Sequence, residues 1–138
     1  MLRADRETRF LNGIESFMRR DFDALGASMH RAIRMEVPGS SWLAGTYRGY
    51  EAVGRCLIGL RRVLDSSDRR VSFVHENHRM VVQHVITVRG PRHEIDMTLT
   101  VSVSYDHDDR ARSISIEPDD PALFDHVIDT VLERFEAS

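Results

Sequence analysis

Residues 80–105 read MVVQHVITVRGPRHEIDMTLTVSVSY, and they specify a long hairpin around which the other elements are placed. Apolar and polar residues alternate on both sides of the Gly90-Pro91 break, which is the pattern of paired strands with one buried face. A loop at 90–93 pairs Ile86 with Met97 and His84 with Leu99. In this register the inward face carries Met80, Val82, His84, Ile86, Val88, Ile95, Met97, Leu99, Val101, Val103 and Tyr105.

The segments before and after this hairpin extend the sheet in a matching register. Residues 71–75 and 114–116 alternate in the same way, and turns at 77–78 and 107–110 join them to the hairpin. A slip of one residue in any turn would move an apolar row to the outer face, so the registers support one another. The predicted pairs are His75–Met80, Phe73–Val82, Val71–His84, Val103–Ile114 and Val101–Ile116.

Helical periodicity marks the beginning, the middle and the end of the chain. The predicted helices span 5–20, Asp21 to about Met29 with Asp21 as N-cap, 50–64, and a segment that begins at Asp120-Pro121. A short strand at 33–37 ends at Pro38-Gly39, and a loop with Trp42 and Tyr47 follows it. We therefore predict one α+β domain over 1–138, with N-terminal helices packed on a curved antiparallel sheet and a C-terminal covering helix.

Composition and charge narrow the classes of function. The chain has 138 residues, a net charge of −3 and 19 basic residues that are all arginine and are scattered. We therefore expect neither nucleic acid nor a membrane as a partner. The single cysteine, Cys56, excludes an internal disulfide and a zinc site built from several cysteines. No apolar run approaches the length of a membrane span, so we expect a cytoplasmic protein.

Three segments resemble the SnoaL-like branch of the NTF2-like superfamily, which has the ketosteroid isomerase and polyketide cyclase type of fold. Residues 43–53, LAGTYRGYEAV, are similar to the stretch L-x-G-x-Y-x-G-x-E-x-V that leads into the third helix of that family. MEVPG at 35–39 and EPDDPALFD at 117–125 resemble the end of its first strand and the close of many members. The resemblance covers essentially the whole chain and implies a cone-shaped pocket between sheet and helices. It leaves the function open, because this fold serves isomerases, cyclases, dehydratases, epoxide hydrolases and proteins without catalysis.

The residues that an isomerase of this family needs are not all present. The resemblance implies a carboxylate directly before the proline that ends the first strand, but that position is Val37, and Glu36 faces the other side. It also implies a tyrosine on the first helix as oxyanion donor, but the aromatic residues there are Phe10 and Phe17. The two departures, at position 37 and on the first helix, argue against the isomerase chemistry. The Asp-Arg-Asp network of the epoxide hydrolases has no match either.

His84 is the candidate catalytic residue. It lies in the middle of an apolar row, so alternation places it on the inward face of the sheet. A neutral imidazole accepts or donates a proton at neutral pH, as general acid–base catalysis requires, and cyclase-like relatives use a pocket with Asp and His. The alternative is a core histidine satisfied by a backbone group, a hydroxyl or a water. His75 has the same orientation but lies beside a turn, where a position at the rim is expected.

Four further residues are predicted to contact a ligand. Met35, Trp42 and Tyr47 are placed at the mouth of the pocket, and Tyr105 lies at a strand end where its hydroxyl faces inward. Aromatic and methionine side chains suit flat apolar ligands, and they are equally common in an ordinary core. We predict no cofactor. We also predict no metal site, because the segment 75–78 offers two histidines that alternation directs apart and no third ligand.

Two hypotheses about function remain open. The first is a protein that binds a small, largely apolar molecule in an internal pocket, with acid–base chemistry of the isomerase or cyclase type at His84. The second is a non-catalytic module that binds a ligand or another protein. The outer face of the sheet is short-chained and nearly free of charge, so we also expect a homodimer that packs two such faces together. This Thr/Ser-rich outer face comprises Val81, Gln83, Val85, Thr87, Asp96, Thr98, Thr100, Ser102, Ser104, Ser113 and Ser115.

Overall fold

Helices and strands are segregated in the way that an α+β protein requires. The structure is a computed structural model that describes residues 3–65, 68–89 and 94–137. The helices in those ranges are α1 (Arg3–Met18), α2 (Phe22–Leu25), α3 (Gly49–Asp65) and α4 (Pro121–Ala137). The strands are β1 (Met29–Val37), β2 (Gly45–Arg48), β3 (Asp68–His75), β4 (Arg79–Arg89), β5 (Glu94–Tyr105) and β6 (Ala111–Pro118). The predicted fold class is confirmed.

The strands form one sheet in the order β2-β1-β6-β5-β4-β3. Neighbouring strands are antiparallel, except that β1 and β6 run parallel. The prediction of an antiparallel sheet is therefore wrong at this one pairing, and the sheet is mixed. Alternation reveals which face of a strand is buried, but it does not reveal which strand lies beside it or in which direction that strand runs.

All the strand pairs predicted for the three hairpins are present. His75 lies opposite Met80, Phe73 opposite Val82 and Val71 opposite His84. The pairs of β4 with β5 and of β5 with β6 also match the predicted register. The predicted loop at 90–93 and the side chains of Val88 and Ile95 lie outside the described part of the chain.

Several boundaries in the first third of the chain differ from the prediction, and β1 begins at Met29 rather than at residue 33. Helix α2 ends at Leu25 rather than near Met29, because the backbone N–H of Gly26 caps it and β1 already begins at Met29. The predicted N-cap is confirmed, since a carboxylate oxygen of Asp21 accepts a hydrogen bond from the N–H of Ala24 at 3.2 Å. The segment predicted as a loop around Tyr47 contains β2, which is too short for its alternation to be visible in the sequence.

Helix α4 is fixed to the end of β1 by one carboxylate. Asp125 accepts hydrogen bonds from the backbone N–H groups of Ser40 at 3.0 Å and Ser41 at 3.2 Å. The chain reaches this position through Gly39, whose φ of 96° favours glycine. A side chain at Gly39 would also collide with the Asp125 carboxylate, so the turn needs glycine for two reasons.

Helices α1 and α3 contact each other closely, and α3 packs on β1. The ring of Phe17 lies directly against the backbone of α3 at Gly54, where a Cβ would come within 2.5 Å of Cε2 of that ring. Glycine at this position therefore sets the separation of the two helices. No helix in the described ranges has both the length and the apolar character needed to cross a membrane.

Candidate functional site

One face of the sheet, which we call the inner face, carries most of the buried core. His84 is buried on this face between Val82 and Ile86 of β4, and its Nδ1 atom is shielded from solvent. The apolar side chains around it on β4, β5 and β6 are buried as well, namely Met80, Val82, Ile86, Met97, Leu99, Val101, Val103, Ile114 and Ile116. His84 therefore lies within a buried apolar row, as its position in the sequence predicts.

The inner face is open to solvent along the edge strand β3. By register, Val71 lies beside His84 and Phe73 beside Val82, so their side chains share the inner face. Val71 is nevertheless 41% exposed and Phe73 42% exposed, whereas His84 is 9% exposed. Exposed apolar side chains beside a buried face are a surface on which ligands or partners bind, and we call this exposed part of the inner face, at Val71 and Phe73, the entrance. His84 lies one strand inside this entrance.

The Phe73–Val82 pair lies between two histidines. On one side is the Val71–His84 pair, and on the other is the pair of His75 with its neighbour on β4. Same-face neighbours along a strand are about 7 Å apart, so a small flat molecule resting on Phe73 and Val82 has an imidazole near each end. The two histidines are too far apart to contact each other directly.

His75 forms a polar contact that the sequence analysis did not find. Its Nε2 lies 2.7 Å from Oε1 of Glu7 on α1, and its ring stacks on Phe73 at 6.5 Å between centroids. The signal in the sequence was the position of Glu7, which falls three residues before Phe10 on the predicted inward stripe of the first helix. A carboxylate on an apolar helix stripe needs a partner, and the structure supplies one.

Tyr105 is buried at the end of the inner face beyond the His75 pair. Its hydroxyl lies 4.0 Å from the sulfur of Met80, and the guanidinium carbon of Arg6 lies 4.7 Å from the centre of its ring. Burial raises the pKa of Tyr105 to about 12, which outweighs the opposite effect of Arg6. The hydroxyl therefore stays protonated at neutral pH and acts as a donor. Tyr105 is six positions along β5 from Leu99, the partner of His84, so it lies nearer to His75 than to His84.

Met35 and Tyr47 lie far from His84 along the sheet. They are partners in the pairing of β1 with β2. Met35 on β1 is three strands from β4 and Tyr47 on β2 is four strands from it, which is about 14 and about 19 Å measured along the sheet. Met35 is fully buried, and the hydroxyl of Tyr47 donates to the carbonyl of Leu43 at 2.5 Å. Burial, and then the nearby Cys56 thiol, raises the pKa of Tyr47. These two side chains contribute to the core under α3.

Trp42 lies on the surface, in the loop between β1 and β2. Its side chain is largely exposed, and its backbone N–H donates to the carboxylate of Asp129 on α4 at 3.1 Å. The structure therefore brings none of Met35, Trp42 and Tyr47 into contact with the entrance at β3. Of the five predicted site residues, His84 is the one beside that entrance.

Two clefts lie on the opposite side of the sheet, near the end of β1. They measure about 450 and 510 Å³ and share Pro38, Ile116 and Glu117 in their walls. Their other lining groups are mostly threonine, serine, glycine and acidic side chains, so they differ from the apolar inner face. In the described ranges, no cluster of three or more His, Cys, Asp or Glu side chains has the arrangement of a metal site.

Neither a protein-family model nor a curated protein matches the sequence. Solved structures do match the fold. An NTF2-like protein from Burkholderia xenovorans is 21% identical, with 86% of this chain and 92% of that chain covered and a TM-score of 0.57. A steroid delta-isomerase from Pseudomonas aeruginosa is 16% identical, with 99% and 94% covered and a TM-score of 0.58.

A third structure is a SnoaL-like protein of unknown function from Burkholderia thailandensis. It is 12% identical, covers 87% of this chain and 99% of its own, and has a TM-score of 0.53. At such identities the likeness shows the fold and not the activity. The chain therefore has the SnoaL-like, NTF2-like α+β fold.

Proposed function

We propose that the protein binds a small, largely apolar molecule on the inner face, on the Phe73–Val82 pair and beside His84. The observation that carries this proposal is the contrast in exposure between the two partners of a pair. Val71 is 41% exposed although it faces the core, and its partner His84 is 9% exposed. A ligand at this place would cover exposed apolar surface on β3 and would meet the imidazole one strand further in.

In the first form of this proposal, the bound molecule undergoes acid–base chemistry at His84. A histidine held among apolar side chains loses much of its hydration, and a neutral imidazole then exchanges a proton with whatever polar group the ligand brings. Isomerase-type and cyclase-type reactions need such a proton transfer. The steroid delta-isomerase with a similar fold supports this type of reaction. The valine at position 37, where a carboxylate is expected, distinguishes this chain from the pattern of such an enzyme.

In the second form, the protein binds its ligand without chemistry. The absence of a carboxylate at position 37 and of a tyrosine in 5–20 favours this form. Turnover separates the two forms, since a ligand that binds beside His84 and is recovered unchanged indicates a binding module.

A thermal-shift screen against steroids, aromatic polyketides and small epoxides tests the proposal. Ligand at a hundred times its dissociation constant stabilises the native state by about 2.7 kcal/mol. We expect a stabilised wild type, a weaker effect in His84→Leu, and a full effect in His107→Leu. The control is matched because it makes the same substitution at a histidine that is 90% exposed and lies in the turn after β5. A ligand that stabilises wild type and His84→Leu equally would remove His84 from the site.

The partner that we propose is a second copy of the chain, packed through the Thr/Ser-rich outer face. Its central residues are uncharged and only half-buried, namely Thr98, Thr100, Ser102 and Ser104. Charged residues border them, since Glu117 lies opposite Thr100 and Arg79 lies opposite Ser104. Short uncharged side chains on a sheet allow close approach of a second sheet. Light scattering should give twice the chain mass of 15.9 kDa for wild type and the mass of one chain for Thr100→Arg. A monomeric wild type at micromolar concentration would contradict the proposal.

A further inference from the structure

The contact between Glu7 and His75 resembles the carboxylate–imidazole pairs in which a carboxylate orients a histidine that acts as a base. Nε2 of His75 lies 2.7 Å from Oε1 of Glu7, and the two side chains are 11% and 30% exposed. The other ring nitrogen, Nδ1, is shielded from solvent, and it has no hydrogen-bond partner among the residues that the structure describes. The ring of Phe73 lies nearly parallel to the imidazole, with 6.5 Å between the two ring centres.

The chemistry of this contact fixes where the proton of a neutral His75 resides. An ionised carboxylate only accepts hydrogen bonds, so Nε2 must carry the proton that is donated to Glu7. Nδ1 then keeps its lone pair. A proton on Nδ1 would be a buried donor without an acceptor, which is costly, so the arrangement favours an unprotonated Nδ1 when no ligand is bound.

We propose that His75 is a general base for a ligand that binds on the Phe73–Val82 pair and displaces the Met80 side chain to reach Nδ1, and that Glu7 is its positioning residue. The ligand class is a neutral, flat carbon acid, with an acidic C–H next to a carbonyl or a ring heteroatom. When Nδ1 takes the proton, the ring becomes a cation, and the carboxylate of Glu7 at 2.7 Å stabilises it. This inference rests on the proposed function only in that such a molecule must reach the inner face.

Tyr105 supplies the complementary group on the far side of Met80. Met80 is the strand partner of His75, and the Tyr105 hydroxyl contacts the Met80 sulfur at 4.0 Å. A thioether is a weak acceptor, so the hydroxyl is available to donate to a ligand oxygen on which charge develops. The base and the donor therefore flank one flexible side chain, which a ligand can displace.

The charged groups near His75 come from several elements. Glu7 and Arg6 lie on α1, Glu76 and Arg79 lie in or next to the turn after β3, and Asp109 lies in the turn after β5. Arg79 binds Glu76 at 3.0 Å, and Arg6 binds Asp109 at 2.7 Å. Those four form two pairs of opposite charge, and Glu7 is the carboxylate in direct contact with the imidazole of His75.

Elimination of nitrobenzisoxazole tests the base with a defined probe. This flat, neutral molecule loses its ring C–H proton to a base, the C–H electron pair forms a nitrile, and the N–O bond breaks to give a coloured nitrophenolate. The proton passes to Nδ1 and then to water, so neither an oxidant nor a cofactor is needed. We expect saturable turnover by wild type, with a loss of about 10²-fold or more in kcat/KM for His75→Gln.

Two variants separate the positioning role from a general effect on folding. Glu7→Gln removes the negative charge that stabilises the imidazolium, while its amide oxygen still accepts the hydrogen bond from Nε2–H; we expect kcat/KM to fall, by less than in His75→Gln, with the tautomer of His75 unchanged. His107→Gln is the matched control, since His107 is exposed, lies 3.5 Å from a carboxylate of Asp108 and should leave kcat/KM unchanged. Turnover that survives His75→Gln would overturn the proposal.

Two further measurements keep the outcomes distinct. Nitroindazole has the same shape without the N–O bond, so its binding with no elimination of the reactive probe would overturn the base while leaving the proposed function intact. Absence of both binding and turnover would overturn both proposals. In wild type without ligand, long-range ¹H–¹⁵N spectra should show a proton on Nε2 of His75, and a proton on Nδ1 would contradict the proposed tautomer.

Discussion

Replacement of Arg6 by methionine should loosen the covering of the inner face, because Arg6 fixes α1 to two turns of the sheet. Its Nε and Nη2 atoms donate to the Asp109 carboxylate at 3.0 and 2.7 Å. Its Nη1 and Nη2 atoms also donate to the carbonyls of Glu76 at 2.9 Å and Asn77 at 2.8 Å. The helix that carries Glu7 is thereby fixed over the β3–β4 and β5–β6 turns.

The expected cost follows from the burial of this cluster. The side chains of Arg6 and Asp109 are 13% and 19% exposed, so the pair lies between a surface ion pair and a fully buried one. Removal of one partner of a buried pair costs about 3–5 kcal/mol, and exposed pairs contribute about 0–1 kcal/mol. Methionine keeps most of the packing against Tyr105. We therefore expect Arg6→Met to lower the free energy of unfolding by about 2–4 kcal/mol.

Urea denaturation followed by circular dichroism measures this loss. The control is Arg79→Met, because Arg79 forms an ion pair with Glu76 that is half exposed on both sides and should change stability little. Asp109 has a φ of 61°, which asparagine tolerates, so Asp109→Asn is a suitable second variant. In the double variant the loss should be smaller than the sum of the single losses. An Arg6→Met protein as stable as Arg79→Met would refute this account of how α1 is held.

Three further predictions test the packing and the titrating groups. Gly54→Ala should lower stability by about 1–3 kcal/mol, because its Cβ would clash with Phe17. Gly59→Ala should raise stability by about 0.5–1 kcal/mol, because its Cβ would have only an ordinary contact at 3.4 Å. Equal stability of the two variants would contradict the packing of α1 on α3. Burial raises the pKa of Cys56 to about 12, so its thiol should react with a disulfide reagent at neutral pH only when urea unfolds the protein. Burial acts to raise the pKa of Asp106, but N–H groups of its own turn outweigh this effect, and the pKa lies below its ordinary 3.8. Because the folded-state pKa is the lower one, this carboxylate stabilises the protein above pH 3.8, and the stabilisation disappears as the pH falls through the folded-state pKa. Asp106→Asn should therefore lose less stability in acid than wild type, and parallel denaturation curves would contradict this.

The sequence was sufficient to predict the face of each long strand and the register of each hairpin. Those features follow from a strict period of two and from short connections, as between His75 and Met80. The parallel pairing of β1 with β6 was not predictable in this way, because it joins segments that are distant in the chain and leaves no local pattern. Strand β2 was missed because four residues are too few to show a period.

The candidate site was predictable only in part. The burial of His84 was predictable because its neighbours at alternate positions of the same strand are apolar; its role in a site stays a prediction. The partner of His75 was not identified, because Glu7 approaches it from a different element, 68 residues away along the chain. Tyr47 and Trp42 were grouped with His84 because their residue types suit a pocket, but residue type does not determine distance across a sheet.

The most direct test of a ligand site on the inner face is a ¹³C-methyl methionine spectrum, recorded during titration with the compound that gives the largest thermal shift. Met80 and Met97 lie on the inner face on either side of the His84 row, while Met18 is exposed at the end of α1. We predict that the methyl signals of Met80 and Met97 shift until the protein is saturated and that the signal of Met18 does not shift. Saturable binding that leaves both inner-face methionines unchanged would contradict a ligand site on the inner face.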